Sequence, residues 1–505
     1  MGLPRTLAVF TALALVLSTV LGSAVGDLGA FRYPHFIITG FALWAGLTCQ
    51  ERHPLGPAHL VTAASLLWCV WTSFSRHLGF GINGVDFSIF DWQVASTATG
   101  NFGYSPIYEV NHFAVHPTFL LLALVPFHAL APSPYWLLLL GALSVWAGIF
   151  PLRRILRVLM GPDTDGLFEL LIILAWLDNA WTGRLLNAGF RIESLTPFLL
   201  LWFVAGWLEK KRWLVVGATV ALLLVKEDLA LILPAFAIAA SLRDRPMRAL
   251  AATVTACSVV WLWLYVAKLQ PALASAGPTY LSFWADFGST PKTIVLGVVM
   301  HPLRFAQLMI TSGWWTIALP SLFLPFLSFR ALAGMLPTIV MLGASSNPSM
   351  HEYWTYYPVA MVPFVLLGII EARAKGGRWA NAALVAAGIM PLFWYGYARS
   401  IAPKLDLERA VQSQLEQSNA APRIVVQTIL FPHVGYGKNV RPLLSHDDLR
   451  ASEGDVFLLA PALDSWPFEF DAPAKFATRL GECGERSSDP SGLETIRITK
   501  PCDAR

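Results

Sequence analysis

Pro117-Thr118-Phe119-Leu120-Leu121-Leu122-Ala123-Leu124-Val125-Pro126-Phe127-His128-Ala129-Leu130 is apolar enough for a membrane segment, yet Pro126 and His128 interrupt it and Pro132 and Pro134 follow. How it is read sets the side of every later charge. As a full span, it puts Arg153, Arg154 and Arg157 on the same side as the polar segment around Asp86. As a helix lying in the outer interface, it sorts the charges. With the N-terminus inside, the cytoplasmic turns then carry Arg52, Arg153/Arg154/Arg157, Lys210/Lys211/Arg212, Arg243/Arg245/Arg248, Arg330 and Arg373/Lys375/Arg378. Basic clusters on one side only are what the positive-inside rule predicts.

Composition requires this membrane setting. Of 505 residues, 55% are hydrophobic and 13% charged, and the mean hydropathy is +0.56. A chain so apolar and so long does not fold as one soluble core. Windows suited to ~30 Å of hydrocarbon run at roughly 5–22, 35–50, 58–75, 135–151, 166–182, 195–208, 213–226, 228–242, 249–267, 305–329, 331–343, 357–371 and 379–397. The expected fold is therefore a mainly α, polytopic membrane domain over 1–400 with about thirteen spans, a large outer loop at about 76–134, and an uncleaved first anchor. The net charge of +4 is spread over short loops, which sets orientation and gives nucleic acid no binding surface.

From about 401 the composition changes. Residues 405–419 read as a charged linker helix, and 424–428, 456–460 and 495–499 read as short strands between polar turns. The expected tail is a small extracytoplasmic α/β module. Cys483 and Cys502 lie in it, and an oxidising compartment would allow them to pair.

On the derived topology, residues 76–116, 184–193, 226–228, 268–304 and 345–357 all face outward, and they hold the ionisable residues that need a reason beside a bilayer. Asp86 and Asp91 are five apart, a spacing that neither a regular helix nor a strand puts on one face. One is a candidate base and the other a candidate helix cap. His112 and His116 supply imidazoles; with the aspartates they could bind a divalent cation, or they pack. Arg191 and Glu193 either meet lipid headgroups or hold a phosphate. Lys226, Glu227 and Asp228 interrupt an apolar run, which is costly unless they are paired or face water. Lys226 suits a phosphate as a point charge. Tyr356 and Tyr357 end an aromatic-rich stretch that serves as an interface belt or as a binding platform. No Gly-x-x-x-x-Gly-Lys-Ser/Thr loop and no His-Glu-x-x-His helix is present.

Asp86-Phe87-Ser88-Ile89-Phe90-Asp91, His112-Phe113, Phe190 to Glu193 and Lys226-Glu227-Asp228 resemble, in order and over most of 80–370, the bacterial DUF2079 membrane proteins. That family in turn resembles the GT-C glycosyltransferase superfamily. Two positions depart: Phe190-Arg191-Ile192-Glu193 stands where the family reads Phe-His-Pro-Glu, and Tyr356-Tyr357 where it tends to His-Tyr. The resemblance implies a bacterial inner-membrane enzyme that takes a sugar from a polyprenyl-phosphate donor and uses an acidic residue of the first outer loop as base. Asp86 or Asp91 would be that base, Lys226 with Arg191 the phosphate partner, and membrane lipid its surroundings. A transporter or flippase, or a non-catalytic envelope-assembly protein, are the rival classes.

Overall fold

Residues 117–130 do not form one continuous helix. In the computed structural model they fold as a 3-10 helix, Phe119–Leu124, running into a short α-helix, Val125–Leu130, with Pro126 in its first turn. Twelve residues of these two kinds rise about 21 Å, well short of ~30 Å of hydrocarbon. The structure describes residues 57–377, apart from 163, 165, 178, 275–278, 320, 352 and 354, together with residue 380 and residues 401–504. The expected anchor at 5–22, the windows 35–50 and 379–397, and Arg52 and Arg378 lie outside the described residues.

Helices of eight residues or more are α1 Pro57–Leu78, α2 Gly84–Ala98, α3 Tyr135–Ala147, α4 Ile149–Met160, α5 Gly166–Leu177, α6 Ala180–Asn187, α7 Leu195–Leu208, α8 Arg212–Leu223, α9 Leu229–Ser241, α10 Arg248–Leu264, α11 Pro291–Met300, α12 Pro302–Thr311, α13 Phe329–Gly343, α14 Val362–Ala374, α15 Leu405–Gln417 and α16 Ala472–Gly481. Among the described residues three helical stretches are long and apolar enough to cross a membrane: Tyr135–Met160, Arg245–Leu273 and Tyr357–Ala374. Many expected spans are present as shorter apolar helices, including α5, α8, α9 and α13. Large apolar side chains on them stay exposed, such as Trp213, Val259 and Trp263. On a water-soluble body such side chains would be costly, whereas lipid accepts them.

Three expectations need correction. The window 305–329 is not one helix: α12 ends at Thr311, a four-residue helix follows at Trp315–Ala318, and a 3-10 turn closes at Leu324–Leu327. Left-handed backbone at Leu322 and Phe323 (φ 50° and 57°) breaks the run, and Pro325 fixes the next turn. The expected loop 268–304 instead contains α11, which meets α12 at 93°. The window 166–182 divides into α5 and α6, because the Asn179 side chain accepts from the Thr182 backbone N–H and starts a new helix.

The tail carries five strands in one sheet: β3 Ile424–Gln427, β4 Val440–Leu443, β6 Val456–Leu459, β7 Gly484–Ser488 and β8 Glu494–Ile498, ordered β4-β3-β6-β8-β7. The short pairs β1 Tyr104–Ser105 with β2 Val110–Asn111, and β5 Arg450–Ala451 with β9 Cys502–Asp503, stand apart from it. A disulfide joins Cys483 to Cys502, with Cα atoms 5.9 Å apart. One apolar core continues from α1 through α14 into Ile424, Val426, Leu430 and Phe431 of the tail, so the sheet module packs on the helices and does not hang from a linker.

Candidate functional site

The module docks on α2. Asn83 caps α2 by accepting from the Asp86 backbone N–H at 3.0 Å. The expected capping role for an aspartate therefore falls to an asparagine. Five residues along a helix turn about 140°, so Asp86 and Asp91 look in different directions. Asp91 is buried, 3% exposed, beneath the module. The Tyr436 hydroxyl donates to its two carboxylate oxygens at 3.1 and 3.0 Å. Burial pushes the Asp91 carboxyl up to about 7, with the Tyr436 hydrogen bond opposing. Close packing continues around it: Phe431 stacks on Trp92, and His433 stacks on His77 with ring centroids 4.1 Å apart.

Asp86 turns instead toward a row of alternating charges drawn from three separate segments. Arg191 Nη1 donates to Asp86 Oδ2 at 2.5 Å, and Arg191 Nε stands 3.7 Å from Glu193 Oε2. Glu193 Oε1 accepts from Lys226 Nζ at 2.9 Å, and that ammonium is 3.7 Å from Asp228 Oδ2. Both Arg191 and Glu193 are largely buried, whereas a quarter of the Asp86 side chain remains open (25% exposed). Tyr356 covers the row, its ring centroid 3.2 Å from the Arg191 guanidinium carbon. Tyr357 lies against Tyr356 at 4.4 Å and 5.9 Å from Lys226 Nζ. Lys226, Glu227 and Asp228 lie in the break between α8, which ends at Leu223, and α9, which starts at Leu229. Gly189, with φ 77°, ends α6 in the left-handed conformation that turns the chain toward Arg191.

Two histidines complete the site. His116 Nδ1 lies 3.0 and 3.1 Å from the two oxygens of Glu227. Burial alone would lower the His116 pKa, but the charge and hydrogen bond of Glu227 outweigh it and raise the imidazole above its ordinary value. His112 behaves oppositely, pushed down to about 3 by burial and by neighbouring His116, and is therefore neutral. Neither of its ring nitrogens has a hydrogen-bond partner among the described residues. The turn bearing both is held by Tyr265, which donates to the Phe113 carbonyl, and by Gln270, which donates to that of Ala114. Tyr265 opens a π-helical turn, Tyr265–Leu269, a bulge that redirects these side chains. The 117–130 segment joins in: the Leu120 backbone N–H donates to the Leu224 carbonyl beside the Lys226 junction.

The expected site residues thus fall into two places, Asp91 under the module and the other ten in or beside the charged row. Among the described residues no group of three or more His, Cys, Asp or Glu side chains is arranged to hold a metal ion. Residues 76–398 match the family model described as "Predicted membrane protein (DUF2079)". The chain belongs to this family. No curated protein matches it. Among solved structures, the chain is similar to ArnT from Cupriavidus metallidurans, both bound to undecaprenyl phosphate and in the apo state. Each is 14% identical, with a TM-score of 0.47 over 86% of this chain and 97% of that one.

The DUF2079 match takes in the whole charged row and stops short of the sheet module. Tyr436, which holds Asp91, comes from outside it, in Gly435-Tyr436-Gly437. Sequence reasoning missed this residue, and no local signal marked it. Tyr108 was also missed; burial and then the charge of Asp86 raise its hydroxyl above its ordinary value, with Arg191 opposing. Its position between β1 and β2, inside the segment that joins the aspartates to the histidines, was the available signal.

Proposed function

We propose that this DUF2079 protein is a membrane glycosyltransferase that moves a sugar from a polyprenyl-phosphate donor to an acceptor hydroxyl at the outer face of a bacterial inner membrane. The observation carrying this is the meeting of a partly open carboxylate, Asp86, with two buried cations, Arg191 and Lys226, in one row assembled from distant segments. A transfer of this class needs those two functions side by side. The acceptor hydroxyl is too weak an acid to attack unaided, so a carboxylate receives its proton as the new bond to the anomeric carbon forms. The bond from that carbon to the phosphate oxygen breaks, and the phosphate leaves with charge that fixed cations stabilise.

Asp86 is the base in this account because a quarter of its side chain is exposed beside Arg191, whereas Asp91 on the same helix is buried. Asp91 is sealed beneath Tyr436 and acts as a positioning residue for the module. Arg191 and Lys226 hold the phosphate, exchanging part of their contact with Asp86 and Glu193 for contact with the donor. Tyr356 fixes the plane of the guanidinium. His116, whose imidazole pKa is raised by Glu227, adds positive potential when protonated. Direct attack with a single displacement inverts the anomeric carbon.

A second reading has one observation in its favour. Asp86, Glu193, Glu227 and Asp228 set four carboxylates against the permanent charges of Arg191 and Lys226, with His116 beside Glu227 as a titratable partner. Such a balance also suits passage of a proton or cation through a transporter. Binding of polyprenyl-phosphate monosaccharides to purified wild type and to Lys226→Ala separates the two. The glycosyltransferase account expects saturable donor binding that weakens at least tenfold in the variant; wild type that ignores every such donor favours the transporter.

A further inference from the structure

Glu193 lies in the 3-10 turn Ile192–Ser194 that leads into α7, Lys226 follows α8 and Asp228 precedes α9, so these three helices carry the charged row at one of their ends. With 14, 12 and 13 residues, they rise about 18–21 Å. At their other ends lies a cavity of about 710 Å³, bounded also by the start of α13 and the end of α14. Lys210, Arg243, Arg330 and Lys375 line it, with Asp244 and Glu371. Lys210 Nζ is 3.0 Å from Asp244 and Arg330 is 2.6 Å from Glu371, whose other oxygen accepts from the Ser328 hydroxyl at 2.8 Å. The two carboxylates are thereby matched, and Arg243 and Lys375 bring two further positive charges. The wall between the cations is apolar, formed by Trp207, Leu242, Leu327 and Phe329 among others.

We propose that this cavity is a binding site for a phosphate-bearing anion, foremost the headgroup of an anionic membrane lipid, separate from the charged row. Cations with no ion-pair partner among the described residues, above an apolar wall at the end of a helix bundle, suit a molecule with an anionic head and an apolar body. The six ionisable groups come from three separate turns, 208–212, 242–245 and 327–330, and from the end of α14. A headgroup would therefore tie together the ends of helices whose other ends position Glu193, Lys226 and Asp228. These cations also belong to the clusters that the sequence assigns to the cytoplasmic face, so the site faces the leaflet opposite to the charged row. Nothing in this inference depends on which chemistry the charged row performs.

The test is titration of the purified full chain with vesicles of phosphatidylcholine carrying increasing phosphatidylglycerol, together with native mass spectrometry of lipids retained after purification. Arg243→Ala/Lys375→Ala removes the unmatched charge. Leu242→Trp fills the cavity from an exposed lining position and keeps every charge. Arg245→Ala/Arg248→Ala removes equal charge from the same face outside the cavity lining. Near a bilayer surface each cation contributes enough that losing two weakens anionic-lipid binding about thirtyfold. The expected result is a loss of that size in the cavity double variant, a clear loss in Leu242→Trp, and little change in the control. Equal loss in the control, or wild-type binding in both cavity variants at unchanged melting temperature, overturns the site. A parallel arm adds inorganic phosphate. Displacement of the retained lipid keeps the anion site and assigns it to a soluble phosphate compound, and no displacement assigns it to the lipid headgroup.

Discussion

Tyr436 donates its hydroxyl to both carboxylate oxygens of Asp91, at 3.1 and 3.0 Å, across 345 positions of chain. The bond joins the C-terminal sheet module to the helix that carries Asp86 one and a half turns earlier. It makes the module part of one packed body with α2, and it separates two aspartates that the sequence offered as equals.

Removing that hydroxyl leaves a buried carboxylate short of its donor. Tyr436→Phe is expected to destabilise the folded protein by about 1–3 kcal/mol, the cost of an unsatisfied buried polar group. Thermal unfolding in detergent reads the loss, and a variant as stable as wild type contradicts the role given to the bond.

The same carboxylate makes a pH signature. Because burial raises Asp91 to about 7 from an ordinary 3.8, the folded state keeps a proton that the unfolded chain releases. Asp91 therefore costs stability as pH rises from about 4 to about 7, and the cost is constant above that. Asp91→Asn, which cannot ionise, should gain on wild type steadily between pH 5 and pH 7.5. Parallel melting curves across that window would contradict the burial of an ionisable Asp91.

His116 titrates with the same slope but a different window. Its folded pKa is raised by Glu227, so the pairing is fully present below the unfolded value of ~6.5 and is lost as pH rises through the folded pKa. Wild type should lose stability on raising pH above 6.5, and Glu227→Gln should lose that part of the slope. An unchanged slope in Glu227→Gln places the titration elsewhere.

Gly84 tests the docking itself. A Cβ there would stand 2.1 Å from the Thr428 carbonyl oxygen, a backbone atom of the module. Gly84→Val should push the module off α2, seen as protease sensitivity of residues 401–504 while α1 to α14 remain resistant. Wild-type resistance contradicts this close approach.

How much of this was legible beforehand follows from the range of each signal. Lys226-Glu227-Asp228 was visible because three charges inside an apolar run are conspicuous locally, and their partners Arg191 and Glu193 stood out in the same way. The pairing order, Asp86 to Arg191 to Glu193 to Lys226, was not visible, since it depends on how three distant segments meet. Tyr436 was beyond reach because a single tyrosine between two glycines, far along the chain, carries no local mark of its partner. The window 305–329 misled because averaged hydropathy does not register the left-handed residues Leu322 and Phe323. In the tail, β3, β6 and β8 were read from their apolar runs, while β7 was missed because Gly484–Ser488 is largely polar and exposed.

The central claim is that Asp86 is the base of a sugar transfer and Asp91 is not. The most direct test is turnover of polyprenyl-phosphate monosaccharides by wild type, Asp86→Asn and Asp91→Asn under conditions where all three melt cooperatively. The account predicts that Asp86→Asn loses activity by at least about a hundredfold, the low end for a general base, while Asp91→Asn retains most of it. Equal activity in wild type and Asp86→Asn, or loss confined to Asp91→Asn, would contradict it.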